Sequence, residues 1–269
     1  MVYLTPQPTA ETIMRARVLI VLLTLTGCSQ VNRAGNGAAT EIRGDTAVAR
    51  LHNQMLAAMG GQSGWERARY FEFDFVVARN GREVSRRSHR WDRFRGDYRI
   101  QYPAGTDTIV AVFNVNDAKA GAVQINHQDI DGAREDSVLT AAYARHINDS
   151  YWLLMPYKWR DEGVTLTSQG RQTDAQGRAW DVVKLTFAQV GLTPQNEYLA
   201  FINPQTGLME RWHHFPRAGA EPAIYDWKNW QRFGPIMLAT EKPSPDGTTV
   251  IRFDRVRVET SVPQRAFDF

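Results

Sequence analysis

Hydrophobic positions along this chain take three rhythms. From Val18 to Leu25 they are continuous, whereas Val48, Leu51, Met55, Leu56 and Met59 recur at helical spacing. From Tyr70 onward they alternate. In "YFEFDFVVARNGREV", Phe71, Phe73, Phe75 and Val77 fall on one face of a strand and Glu72 and Asp74 on the other, while Asn80-Gly81 is the signal of a two-residue hairpin turn. Comparable segments follow: "VSRRSHRWDRF", "YRIQY", "TIVAVFNV", "AVQIN", "GVTLTSQG", "AWDVVKLTF", "EYLAFINP", "GLMERWHHF", "AIYDWKNWQRF", "PIMLATE" and "TTVIRFDRVRVET". Turn residues such as Pro204-Gln205-Thr206-Gly207 and Pro245-Asp246-Gly247 separate several of them. The pattern predicts roughly ten to twelve short antiparallel strands over most of the chain. Ahead of them it predicts one helix, N-capped by Asp45 or Thr46 and ended by Gly60-Gly61.

One stretch interrupts the alternation. Val138, Leu139, Ala142 and Tyr143 have helical spacing between Arg134 and Arg145, and the run leads into "INDSYWLLMPYKWRDEGVTL". Trp152, Leu153, Leu154, Met155, Tyr157 and Trp159 crowd together there, and Pro156 is expected to break any helix. A large antiparallel sheet coils, and if it stays open its concave face needs a plug or a ligand. This segment is either a plain core plug or the lining of a hydrophobic cavity. In the second case Phe71, Phe73, Phe75, Tyr98 and Ile100, with Tyr102, form one wall, and Trp152, Leu154, Met155 and Trp159 form or gate another. Such a pocket suits acyl chains, because apolar burial is non-directional and requires few placed polar groups.

The first apolar run is far short of the ~20 residues of a spanning helix. Arg15 and Arg17 precede it and the small residues Thr26 and Gly27 follow, the order of a secretion signal over residues 1–27. Met14 would be its compact start. The tetrapeptide Leu25-Thr26-Gly27-Cys28, holding the one cysteine of the chain, resembles the lipobox of bacterial lipoproteins. That resemblance implies that Cys28 is alkylated by diacylglycerol, becomes the first residue of the mature chain and is acylated, so that the protein meets the membrane through a lipidated cysteine. Several acyl chains together anchor firmly. Ser29, where an Asp would imply retention at the inner membrane, points to the periplasmic face of the outer membrane. The competing reading is an ordinary buried or free cysteine that merely falls here.

The polar run Gln30 to Asp45 has no apolar periodicity and reads as a tether, leaving residues 46–269 as a single domain. With Cys28 used as an anchor, that domain must hold together without a disulfide. Removing residues 1–27 takes the formal charge from +3 to +2, spread over 30 basic and 28 acidic side chains. No basic block tracks phosphates: "REVSRRSHRWDRFRGDYR" is interrupted by acids and reads as the solvated side of strands, so no nucleic-acid partner is expected.

A second resemblance spans nearly all of residues 46–269. The first helix ending in Gly-Gly, Trp65, the meander containing "YLAFINPQTGLMERW", the mid-chain helical insertion with "NDSYWLLMPYK", and "YDWKNWQRFGPIMLATE" resemble the LolA/LolB-like superfamily of lipoprotein carriers, nearest to its uncharacterised lipoproteins. The resemblance implies a mostly antiparallel α+β fold, a curved half-open β-barrel with helices covering its concave side. It also implies a non-catalytic role in binding lipid or lipoprotein acyl chains. A monomer is expected, with no cofactor.

Two other function classes are weighed against this one. For an unrecognised hydrolase, the chain has no Gly-x-Ser-x-Gly, His-Glu-x-x-His, phosphate-binding glycine loop or cysteine pair. His213-His214 could be joined by His89, His127 or His146, but neighbours in a strand point to opposite faces and cannot share a metal without distortion. Asp226 and Asp254 alternate with aromatics, and nothing in the sequence pairs them. For an anchored protein- or polymer-interaction module, Trp91, Trp212, Trp227 and Trp230 supply surface aromatics. The carrier and the module differ in where these rings point: into a lined interior or onto a surface platform.

Overall fold

The computed structural model describes residues 46–188 and 191–269; the lipobox with Cys28, the signal segment and the tether lie outside the described residues. The alternating segments fold into two antiparallel sheets. From edge to edge, the larger runs β12 (Lys228–Phe233), β13 (Ile236–Pro243), β14 (Thr249–Glu259), β1 (Tyr70–Arg79), β2 (Arg82–Asp92), β3 (Asp97–Ala104), β4 (Asp107–Asn114), β5 (Asp117–Ile125) and β6 (Gln128–Ile130). The smaller runs β11 (Ala223–Asp226), β10 (Met209–Phe215), β9 (Glu197–Ile202), β8 (Ala179–Phe187) and β7 (Val164–Thr173). Neither sheet closes on itself, so the architecture is the mostly antiparallel, half-open one that the patterning and the resemblance imply.

Fourteen strands are found among the described residues, against the ten to twelve expected. The short β6 carries too little alternation to be seen. The segment "AIYDWKNWQRF" is two strands because the chain changes sheets at Trp227, which is buried and donates its backbone N–H to Glu210 O at 2.7 Å. Asn229, with φ 56°, kinks the backbone at the start of β12.

Helix α1 (Thr46–Ala58) stands where its spacing predicts. Gly60-Gly61 redirects the chain rather than ending its helical course: both take positive φ and lead into α2 (Gly61–Arg67). A Cβ at Gly64 would lie 2.5 Å from Pro235 O, so only glycine lets α2 approach the β12–β13 turn.

The mid-chain helix α3 (Gly132–Leu154) runs well past Arg145, and a 3-10 helix, Met155–Arg160, continues it. Pro156 sits in the first turn of that 3-10 helix, where its missing N–H costs nothing, so it marks a change of helix type and not a break. Polar "INDS" reads as a loop when side chains are assumed to face water, yet here Asp149 and Ser150 are buried.

Cross-strand rows build the inner face of the larger sheet. Phe71, Trp91, Tyr98 and Phe113 form one row and Phe73, His89, Ile100 and Ala111 the next. Helix α3 covers this face and meets the smaller sheet through Tyr151 and Trp152. The arginine-rich stretch divides by parity. Arg86 and Arg90 lie outside and pair with Asp74, Asp254 and Glu72, as expected of a solvated side. Arg87, His89 and Trp91 point inward, which corrects the reading of the whole stretch as surface.

Candidate functional site

The nine residues expected to line a hydrophobic ligand site, Phe71, Phe73, Phe75, Tyr98, Ile100, Trp152, Leu154, Met155 and Trp159, are all interior, none more than 6% exposed. They fall in different places. The five from β1 and β3 share the inner face of the larger sheet. Trp152 instead packs edge-on against Trp212 and Tyr225 of the smaller sheet, at 4.2 and 4.9 Å between centroids. Trp159 stacks on His52 of α1 at 5.4 Å and donates its indole N–H to Met155 Sδ. The segment 152–159 therefore plugs the space between the two sheets.

Two centres of charge lie inside this aromatic interior. In the first, Arg87 grips Asp149 with Nε and Nη2 at 2.6 and 2.8 Å. The Asp149 carboxylate also lies 3.0 Å from His89 Nε2, in an oblique approach, and accepts from Asn148 Nδ2 at 2.8 Å. His89 Nδ1 is 2.7 Å from Tyr98 Oη. An ionised carboxylate only accepts, so Nε2 carries the imidazole proton and Nδ1 accepts from the tyrosine hydroxyl. Burial pushes the Asp149 carboxyl up, but Arg87 and His89 more than offset it and hold the group well below the usual carboxylate range. Burial lowers His89, which stays neutral. The charges of Arg87 and Asp149 are matched, His89 Nε2 has only the oblique approach to Asp149, and together these residues tie α3 to β2.

The second centre is Lys242 on β13. Register places it beside Ile251, itself beside Val77, on the inner face, and it is 0% exposed. Its amine donates to Ala239 O and lies over the rings of Phe253 and Trp227 at 4.2 and 4.5 Å. Burial alone holds it well below the usual lysine range, with no carboxylate acting on it. Around it, the indole N–H groups of Trp212 and Trp227 are buried without hydrogen-bond partners, as is that of Trp91 nearer α3.

The other sequence candidates are dispersed. His213 lies against Phe201 on one face of β10 and His214 against Tyr198 on the other, so the adjacent pair splits as strand geometry requires. His127 is exposed, and His146 is buried against Tyr98 and Trp91. Asp226 pairs with Arg211 and Lys228, and Asp254 with Arg86 and Arg252. Among the described residues no three potential metal ligands cluster, and no helix is long and apolar enough to cross a membrane. Of the four tryptophans considered for a surface platform, Trp91, Trp212 and Trp227 are buried. Trp230 is half-buried and donates to Met209 O. Outside the larger sheet, a polar cavity of ≈ 150 Å³ is lined by Glu72, Asp74, Ser88, Arg90, Arg99 and Arg255.

Sequence reasoning missed Arg87, Asp149 and Lys242. Strand parity could have found two of them: Arg87 shares a face with Trp91, and Lys242 shares one with Ile236 and Leu238. Asp149 had no such signal, because its helix was expected to stop before it.

No protein-family model and no curated protein matches the sequence. Among solved structures, the chain is similar in backbone course to a DUF1329 family protein from Desulfovibrio piger, at 11% identity over 82% of this chain and 97% of that one, with a TM-score of 0.47. It is similar to a LolA superfamily protein from Nitrosomonas europaea at 10% identity over 77% and 97%, with a TM-score of 0.44. A domain assigned to outer membrane lipoprotein sorting from Vibrio parahaemolyticus aligns at 9% identity over 81% and 95%, with a TM-score of 0.43.

Proposed function

We propose that this protein is a lipid-anchored, non-catalytic binder of acyl chains, those of lipids or of lipoproteins, at the periplasmic face of the outer membrane. The observation that carries the proposal is the state of the interior: Trp91, Trp212 and Trp227 point inward and leave buried indole N–H groups without acceptors. Buried polar groups in a core made only for stability are nearly always hydrogen-bonded. An interior that is aromatic, covered by a helical plug and holding indole N–H groups without acceptors suits a guest that brings apolar mass and a few oxygens. The same inward aim removes the surface platform that an interaction module would use.

Admission of a chain requires the 152–159 plug to withdraw from between the sheets, while the Asp149–Arg87 pair keeps the preceding helix on β2. The anchor is supported by Leu25-Thr26-Gly27-Cys28 and the charged, apolar and small residues ahead of it. Cys28→Ala should release the protein from membranes; a variant that still fractionates with them after a high-salt wash would refute the anchor.

For the binding role, native mass spectrometry of residues 30–269 recovered from a bacterial periplasm is the test. Adducts of phospholipid or acyl mass, lost on denaturation, are expected. A bare chain mass that persists after incubation with hexadecanoate and phospholipid micelles would refute acyl binding.

A further inference from the structure

We infer that Lys242, with the indole N–H groups of Trp227 and Trp212, is the anchor for an oxyanion head on the bound acyl ligand, a carboxylate or a phosphate. The inference rests on the acyl-binding role proposed above and adds the chemistry of the head group.

Three observations support it. First, among the described residues Lys242 is the wholly buried lysine or arginine without a carboxylate partner; Arg99, mostly buried, has none either, but meets both Asp268 O and Gln101 Oε1. Asp149 has Arg87, Asp74 has Arg86 and Arg255, and Asp92 has Arg69, whereas the wholly buried amine of Lys242 has only the Ala239 carbonyl. The amine carries three donors when charged and two when neutral, so in either state Ala239 O leaves at least one unused. Second, the unmatched groups around it are donors. Trp227 lies under the amine, and its ring is 5.5 Å from that of Trp212; both indole N–H groups lack an acceptor. Water would arrive with protons of its own, and an alkyl chain with no acceptor; an oxyanion supplies only acceptors and favours the charged form of the amine that burial alone opposes.

Third, the compartment is covered by the plug itself. Trp152 packs on Trp212 and Tyr225, so the movement that admits an acyl chain is also the one that uncovers these donors. The flanking rings of Phe253 and Trp227 meanwhile hold the amine in position. Head group and chain would thus be bound by one event, the anion at Lys242 and the methylenes along the vacated plug site.

The experiment compares three ligands with one chain length, hexadecanoate, hexadecyl phosphate and hexadecanol, by displacement of a fluorescent fatty acid from residues 30–269. One or both anions should bind about tenfold or more tightly than the alcohol, as expected for hydrogen bonds to a charged group. Whichever anion is preferred identifies the source as a free fatty acid or a phosphorylated lipid.

Lys242→Met, of similar length and without charge, should bring the anions to the level of the alcohol and so abolish that preference. Trp227→Phe, which keeps the ring and removes the N–H, should weaken the anions alone by roughly threefold, a single neutral donor's share. Equal binding of all three ligands by the unmodified protein would overturn the anchor and leave acyl binding standing. So would a preference that survives Lys242→Met in a variant with an unchanged melting transition. Failure of all three ligands to bind would refute acyl binding itself and the anchor with it.

Discussion

The two buried charge centres, Asp149 on α3 and Lys242 on β13, lie in the same aromatic interior and differ in one respect. Around Asp149 the charge is matched: a bidentate arginine and an amide donate to the carboxylate, with an imidazole 3.0 Å away. Around Lys242 no opposite charge is present: the amine has one carbonyl, and the indole N–H groups of Trp227 beneath it and of neighbouring Trp212 have no acceptor. In a low-dielectric interior a matched charge rigidifies the fold, whereas an unmatched one is costly and awaits a partner. The difference separates structure from function within one core. Asp149 holds the cover on, and Lys242 has chemistry left to do under it.

Breaking the matched centre should therefore have the largest effect. Asp149→Ala leaves Arg87 buried without its carboxylate and should cost about 3–5 kcal/mol in urea unfolding, the range for removing one partner of a buried pair. A loss below ~1 kcal/mol would mean that the pair is solvated in solution and does not fix α3. Trp152→Ala opens a void between the sheets and should cost about 3–5 kcal/mol at most, less if Trp212 and Tyr225 collapse into it. If Asp149→Ala and Trp152→Ala proved additive, the Asp149 pair and the plug that begins one turn later would respond independently, as a plug that withdraws from a fixed helix must.

Acid should act on the imidazoles before it acts on the Asp149 centre. Burial lowers His146 from its ordinary 6.5 to about 3, with Lys158 and His89 adding to the effect, and burial lowers His214 to about 4. Each is neutral when folded and binds a proton once unfolded, so its contribution is complete above pH ~6.5 and is lost as pH falls toward 4. Asp149 is held low, so its contribution is complete above the ordinary carboxylate value of ~4 and is lost only below that. Melting temperature should thus fall between pH 6.5 and 4.5, and His146→Phe should flatten that slope. An identical slope in the variant would show that His146 is not a neutral imidazole in the folded chain.

How much of this was legible follows from where each signal resides. Phe71, Phe73 and Phe75 declared a buried face because strand alternation is local, even though Asp74, Val76 and Ala78 on the other face of β1 are buried as well. The larger sheet's inner wall was therefore readable, as was the helical cover after it. Trp227 was not readable as a point of sheet exchange, since nothing in "YDWKNW" tells which partner strand lies to either side. Arg87 and Lys242 had the parity of core residues and were overruled by the rule that charges face water, a rule that holds only where no partner or ligand offsets burial. Asp149 is the reciprocal failure. Its carboxylate is buried because an arginine from a distant strand meets it, a tertiary fact that no window of sequence around "INDS" contains.

The smallest stability effect should come from the residue with the greatest functional one. Lys242→Met removes no partner from any charge: a methionine fills nearly the same volume between Phe253 and Trp227 and needs no acceptor. Replacing a buried ionisable group by an apolar one of like shape is neutral or stabilising, so the unfolding free energy should stay within about 1 kcal/mol of the parent or rise. Arg87→Met is the control, since it makes the same chemical change at the matched centre, strands Asp149, and should cost several times more. Urea unfolding of the two variants side by side measures the asymmetry directly. If Lys242→Met were as damaging as Arg87→Met, the amine would be satisfied in the unliganded protein and the two centres would be alike. A tolerated loss of Lys242 would instead mark a charge that the fold does not need, retained in the one compartment where an incoming oxyanion could use it.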